Sequence, residues 1–183
     1  MRLSEIMDRI NTGAHQSLSE SVLVPEVDVA LKDWINNADG DWMLIGGLVV
    51  GYYTRPRTTT DVDVIFPSEQ SIPQTVNGFK KNRGHSFQHN QTHVEVEVLS
   101  PEYLKLDRTL YDQVYATSEI KDGVRVPSPA GLVCLKLSRS SPQDLADIHA
   151  IIQKHPTLTI AGFSVPDEVT QKAELKLDIK IPR

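Results

Sequence analysis

Asp61 and Asp63 stand one residue apart in the run Asp61-Val62-Asp63-Val64-Ile65-Phe66. Alternate residues of a strand point to the same face, so both carboxylates project together while Val62 and Val64 turn the other way. Two carboxylates side by side disfavour each other's ionised form unless a cation joins them. Hard oxygen ligands of this kind suit Mg²⁺ bound along with substrate phosphates. Upstream, Gly46-Gly47 separates the apolar run Trp42-Met43-Leu44-Ile45 from a second apolar stretch, Leu48 to Tyr53. Backbone N–H groups at such a strand-to-helix turn attract anions, and glycine lets the backbone approach a phosphate closely. No Lys-Ser or Lys-Thr follows, so this is not a Walker A loop, nor is it a dinucleotide fingerprint. A tight turn with close packing is the alternative reading of the two glycines.

Further polar groups extend the pattern. In Arg57-x-Thr59-x-Asp61-x-Asp63, Thr59 shares the face of both aspartates if the strand reaches back that far. Arg57 is placed to take a phosphate or to lock a carboxylate by paired hydrogen bonds. A second alternating run, His93-Val94-Glu95-Val96-Glu97-Val98-Leu99, offers two more acids. Either Glu95 or Glu97 would complete a cage of three carboxylates if this strand lay beside the first; a half-exposed strand facing water gives the same alternation. Lys136 lies within the apolar run from Leu132 to Leu137, where a lysine needs a partner or an outlet to solvent. Asp144 falls in a first helical turn, where the helix dipole favours an acid.

These residues need a scaffold of short strands and helices. Leu3, Ile6, Met7 and Ile10 recur at helical spacing, and Pro25 opens a second helix carrying Val27, Ala30, Leu31, Trp34 and Ile35. Strands are expected at 42–45, 61–66, 85–88 and 93–99, with helices at 48–53 and around 74–82. Pro101 begins a helix whose apolar side includes Tyr103, Leu104, Leu110, Tyr111 and Val114. Thr117 to Val126 reads as a hairpin about Asp122-Gly123. Ser128-Pro129 and Ser141-Pro142 each supply an N-cap and a first-turn proline, predicting helices over 130–139 and 143–154. The tail from Asp167 has the makings of a last helix. Strands separated by helices make a compact α/β domain.

Composition narrows the class. The chain has 183 residues, 39% of them hydrophobic and 23% charged, with a formal net charge of −5. That charge argues against coating nucleic acid through broad electrostatics, though not against local contact with RNA. The basic residues Lys80, Lys81 and Arg83 make only a short patch, ordinarily a solvated surface. One cysteine, Cys134, excludes an internal disulfide and fits a reducing compartment. The first residues carry acids and lack a long apolar stretch, unlike a secretory signal. A cytoplasmic protein away from membranes is expected.

The Gly46-Gly47 turn followed by Arg57-x-Thr59-x-Asp61-x-Asp63 resembles the nucleotidyltransferase superfamily with the DNA polymerase β-like palm. Within it, the chain looks most like the minimal and abortive-infection-type nucleotidyltransferases, many of them toxins of toxin–antitoxin pairs. Their pattern is a Gly-Gly or Gly-Ser turn, an Asp-x-Asp pair on the next strand and a third acid on a later one. Glu97 sits most like that third acid, with Glu95 the alternative. In the abortive-infection branch a helix lysine precedes a basic-Asp-x-x-Asp segment. Lys136 and Asp144 match, while Gln143 replaces the basic residue and a Glu stands where Asp is common.

The resemblance implies an α/β (α+β) fold: a mixed-sheet palm flanked by helices over residues 1–127, with a helical segment over 128–183 packed on it. It implies Asp61, Asp63 and Glu97 as catalytic carboxylates holding Mg²⁺ or Mn²⁺, with Glu95 a further candidate ligand. Gly46, Gly47, Arg57, Thr59, Lys136 and Asp144 would bind the nucleotide. An NTP would donate its NMP to a hydroxyl of RNA (tRNA included), a protein or a small molecule, and an antitoxin protein is the implied partner. Two other classes stand beside this: a related scaffold that binds a nucleotide or protein without catalysis, and a metal-dependent phosphohydrolase.

Overall fold

The structure, a computed structural model, describes residues 24–55, 58–121 and 123–183. The expected helix near Leu3 to Ile10, Arg57 and the hairpin residue Asp122 lie outside the described residues. By its internal contacts the chain divides into two units. One runs to Tyr103 and takes in Ile120–Val126; the other comprises Leu104–Glu119 and Pro127–Arg183.

The first unit is built on α1 (Pro25–Asn37), β1 (Met43–Ile45), α2 (Gly46–Tyr53), β2 (Asp61–Ile65), β3 (Phe79–Lys81), β4 (Ser86–His89) and β5 (Glu95–Leu99). With β6 (Glu119–Lys121) and β7 (Val124–Val126), the strands form one seven-stranded sheet in the order β3-β4-β5-β2-β1-β7-β6. The sheet is mixed. β2 runs parallel to β5 and β1 parallel to β7, while β1/β2, β3/β4 and β4/β5 are antiparallel. The overall class is therefore α+β, as expected.

Alternation fixes how this sheet is buried. Val62 and Val64 on β2 pair with Val96 and Val98 on β5, and all four are fully buried. Phe87 pairs with Val96 and so shares that face. The α1 stripe of Val27, Ala30, Leu31 and Trp34 is also buried, and Trp34 meets Phe87 and Phe79 edge-on at 5.5 and 5.2 Å. Helix and sheet are pinned together by His89, whose Nε2 lies 3.0 Å from Asp33 Oδ2 and whose Nδ1 lies 2.8 Å from Thr92 Oγ1. The Thr92 backbone N–H also donates to Nδ1, which leaves Nε2 to donate to Asp33.

The second unit holds the helices α4 (Arg108–Ala116), α5 (Pro129–Arg139), α6 (Pro142–Lys154) and α7 (Asp167–Leu177). The Ser-Pro starts behave as expected. The Ser128 and Ser141 hydroxyls accept from the Gly131 and Asp144 N–H groups, and each proline takes the first turn. Two helix expectations fail. Residues 74–82 form no helix, because Gly78 takes φ +84° and Phe79–Lys81 pairs with Phe87–His89 as an edge strand. The helix begun at Pro101 stops at Leu104 (α3, Pro101–Leu104), where Lys105 turns left-handed at φ +52°. Asp107 then caps a new start by accepting from the Leu110 N–H at 3.2 Å. Among the described residues no helix is long and apolar enough to cross a membrane.

Candidate active site

Parallel pairing of β2 and β5 sets Asp61 beside Glu95 and Asp63 beside Glu97. Partners across a ladder share a sheet face, and neighbouring strands lie about 4.8 Å apart. Four carboxylates are thus gathered on the face opposite the valine core. Asp61 and Glu95 are exposed at the strand starts, while Asp63 and Glu97 sit one step deeper and half buried.

Crowding shows most at Asp63. Its carboxyl is pushed up to about 7, first by burial and then by the Asp61 charge and by the hydrogen bond and charge of Glu97. The Gly47 N–H pulls the other way, donating to Asp63 Oδ2 at 3.4 Å. The glycine turn therefore faces an aspartate directly. Gly46 adopts φ +69°, and a Cβ built on it would stand 1.7 Å from Asp63 Oδ2. Glycine is required there on both counts. In the first turn of α2 the Gly47 amide points at Asp63, a protein anion in the position expected for a phosphate.

Thr59 precedes β2 rather than lying on it, and it is buried. Its hydroxyl donates to Asp61 Oδ1 at 2.9 Å, orienting the outer carboxylate. His93 is not on the glutamate strand: it takes φ +60° in the turn that links β4 to β5.

Lys136 and Asp144 belong to the second unit and form a closed network of their own. Lys136 Nζ lies 3.1 Å from Asp144 Oδ1 and 2.7 Å from Asp147 Oδ2, with all three residues buried. Asp144 Oδ2 accepts from the Ser141 N–H and hydroxyl and sits 3.5 Å from Arg139 Nε. Gln143 Nε2 donates to Asp147 Oδ1 at 3.0 Å. Burial works to raise the Asp144 carboxyl, but the Ser141 hydrogen bond, Lys136 and Arg139 together hold it below its ordinary value. This network locks the α5–α6 corner. Lys136 thus serves two buried carboxylates at once.

The donor set on β2 and β5 fits a hard cation chemically: it is all carboxylate, and a cation would relieve the crowding at Asp63. Among the described residues, however, no group of three or more His, Cys, Asp or Glu side chains stands ready to hold a metal. Mg²⁺ usually keeps several waters and takes one or two carboxylates with substrate phosphates, so a complete protein cage is not required.

Sequence reasoning missed three residues beside the acids. Arg83, His85 and Tyr103 line a cleft of about 400 Å³ that Asp61, Glu95 and Glu97 also line. The lone signal for them was a short basic patch, and the residue of that patch that reaches the cleft is Arg83. No protein-family model and no curated protein matches this sequence.

Proposed function

We propose that the chain is a metal-dependent nucleotidyltransferase with a palm of the DNA polymerase β-like type, moving an NMP from an NTP to an acceptor hydroxyl. The observation that carries this reading is the in-register pairing of β2 with β5, which gathers Asp61, Asp63, Glu95 and Glu97 on one sheet face. In the transfer, the acceptor oxygen bonds to the α-phosphorus and the bond to the bridging oxygen breaks. Pyrophosphate leaves with that electron pair, and the hydroxyl proton passes to a cleft carboxylate, Asp61 or Glu97. Asp61, Asp63 and Glu97, with Glu95 as the alternative third acid, would hold Mg²⁺ or Mn²⁺, which supplies positive charge against the developing phosphate charge. Thr59 steadies Asp61, and the Gly46 turn leaves room for Asp63.

Labelled-NMP transfer, screened with each NTP against RNA, protein and small hydroxylated acceptors, tests the reading. Asp61→Asn and Asp63→Asn should each abolish transfer while circular dichroism stays native. Unchanged transfer by both would overturn it. If the protein is a toxin, its expression should arrest growth unless an antitoxin is co-expressed.

A second reading, a catalytically silent scaffold that binds a nucleotide or a protein partner, is favoured by one observation: the Gly47 amide is already directed at Asp63. Calorimetry with NTP and Mg²⁺, followed by a pyrophosphate assay, separates the two. Binding without pyrophosphate release over the whole acceptor panel supports the scaffold.

A further inference from the structure

The cleft beside the carboxylates has a composition of its own. His85 and Tyr103 stack with ring centroids 4.1 Å apart and planes tilted by 37°. Tyr103 remains 47% exposed although its ring is large. Arg83 shares the cleft with Asp61, Glu95 and Glu97. None of the cleft-lining side chains is aliphatic. The volume, about 400 Å³, lies within the range of small-ligand sites.

The exposed Tyr103 ring, backed by the half-buried His85, offers a π-face to a flat heterocycle, and a guanidinium in the same cleft offers a fork to a phosphate. Carboxylates near both offer acceptors for sugar hydroxyls. Base, phosphate and sugar hydroxyl together describe a nucleotide unit. A polar cleft without aliphatic walls suits an apolar peptide side chain poorly. Stacking on aromatic residues is also the usual way that an unpaired nucleotide is held.

We infer that this cleft is a nucleotide subsite, with Tyr103 and His85 stacking on the base and Arg83 taking the phosphate. The inference deepens the transferase reading by naming what binds beside its carboxylates. The same chemistry is carried by a free mononucleotide and by the terminal nucleotide of a single-stranded RNA.

The test is direct binding in EDTA to the full chain, by calorimetry with AMP and with ribose 5-phosphate, and by anisotropy with 5′-fluorescein pentaadenylate. AMP or pentaadenylate should bind better than ribose 5-phosphate, and the tighter of the two names the source. Tyr103→Ala should weaken that binding about tenfold, the scale of a lost base stack. Tyr103→Phe should retain it, and Arg83→Gln should weaken it comparably. Tyr103 is half exposed, so the variants should keep native circular dichroism. Binding no better than ribose 5-phosphate, or a Tyr103→Ala variant that binds like wild type, overturns the subsite. The transfer assay is scored separately. Binding with these sensitivities but no transfer supports the subsite and removes the transferase reading. Transfer with an unchanged KM in Tyr103→Ala keeps the transferase reading and removes the subsite.

Discussion

Asp63 Oδ2 occupies the space a side chain on Gly46 would need: a Cβ there would stand 1.7 Å from it, on a backbone at φ +69°. The glycine turn and the aspartate strand are thus one packed unit, and the Gly47 amide serves the carboxylate that burial and its neighbours disfavour.

Gly46→Ala should therefore damage both stability and the site. The added methyl must displace the Asp63 carboxylate and adopt an unfavourable φ, at a cost on the order of 1–3 kcal/mol. Urea denaturation should show the loss, and labelled-NMP transfer should fall with it. An alanine variant as stable and active as wild type would refute this account of the turn.

Asp63 predicts a pH dependence with a definite sign. Its carboxyl is raised from 3.8 to about 7, so between those values the folded protein holds a proton that the unfolded chain has released. The native state binds more protons there, and the Asp63 contribution to stability falls as pH rises through that window. In EDTA, Asp63→Asn should stabilise the protein at pH 8 by roughly 1–3 kcal/mol and flatten its profile between pH 4 and pH 7. Adding Mg²⁺ at pH 8 should stabilise wild type more than the Asn variant. Thermal denaturation across pH checks both.

Lys136→Met should destabilise the second unit by about 3–5 kcal/mol, because it leaves two buried carboxylates without their ammonium. Replacing Asp147 by Leu as well should recover part of the loss. Asp144 is held below its ordinary value, so its contribution is present above pH 3.8 and is lost as pH falls through the folded value. Without Lys136 that acid dependence should weaken. Chemical denaturation at pH 7 and pH 3 measures both effects.

Cys134 is fully buried, and burial pushes its thiol up to about 12. The native protein should resist Ellman's reagent at pH 8 and release one equivalent of thiol in guanidinium, since the chain has one cysteine. Rapid labelling of the folded protein would contradict this burial.

Local rules made much of the scaffold readable. Pro25 marks a helix start through its fixed backbone angle and the two Ser-Pro pairs through side-chain caps as well, both needing few neighbours, and α1, α5 and α6 begin where they predict. Valine alternating with acids marks β2 and β5 because one face must enter the core. Failures occurred where a partner far along the chain decided the outcome. Phe79–Lys81 is a strand because Phe87–His89 pairs with it, and no helical tendency near residue 74 competes with that ladder. The partners of Lys136 are likewise set by packing, which brings Asp144 and Asp147 of α6 to its ammonium on α5.

The candidate site divides along the same line. Periodicity alone determined that Asp61 and Asp63 share a face, that Glu95 and Glu97 share another, and that the chain passes from strand to helix at the two glycines. Tertiary structure alone decided that these two faces are one. β5 could have joined the sheet at any edge or register, and only the pairing Asp61 with Glu95 and Asp63 with Glu97 unites the acids. It also decided that the glycine turn embraces Asp63 and that Arg83, His85 and Tyr103 meet at one cleft. The physical reason is range: a strand's alternation is set by its own backbone, whereas the neighbour across the ladder is chosen by core burial summed over the whole sheet.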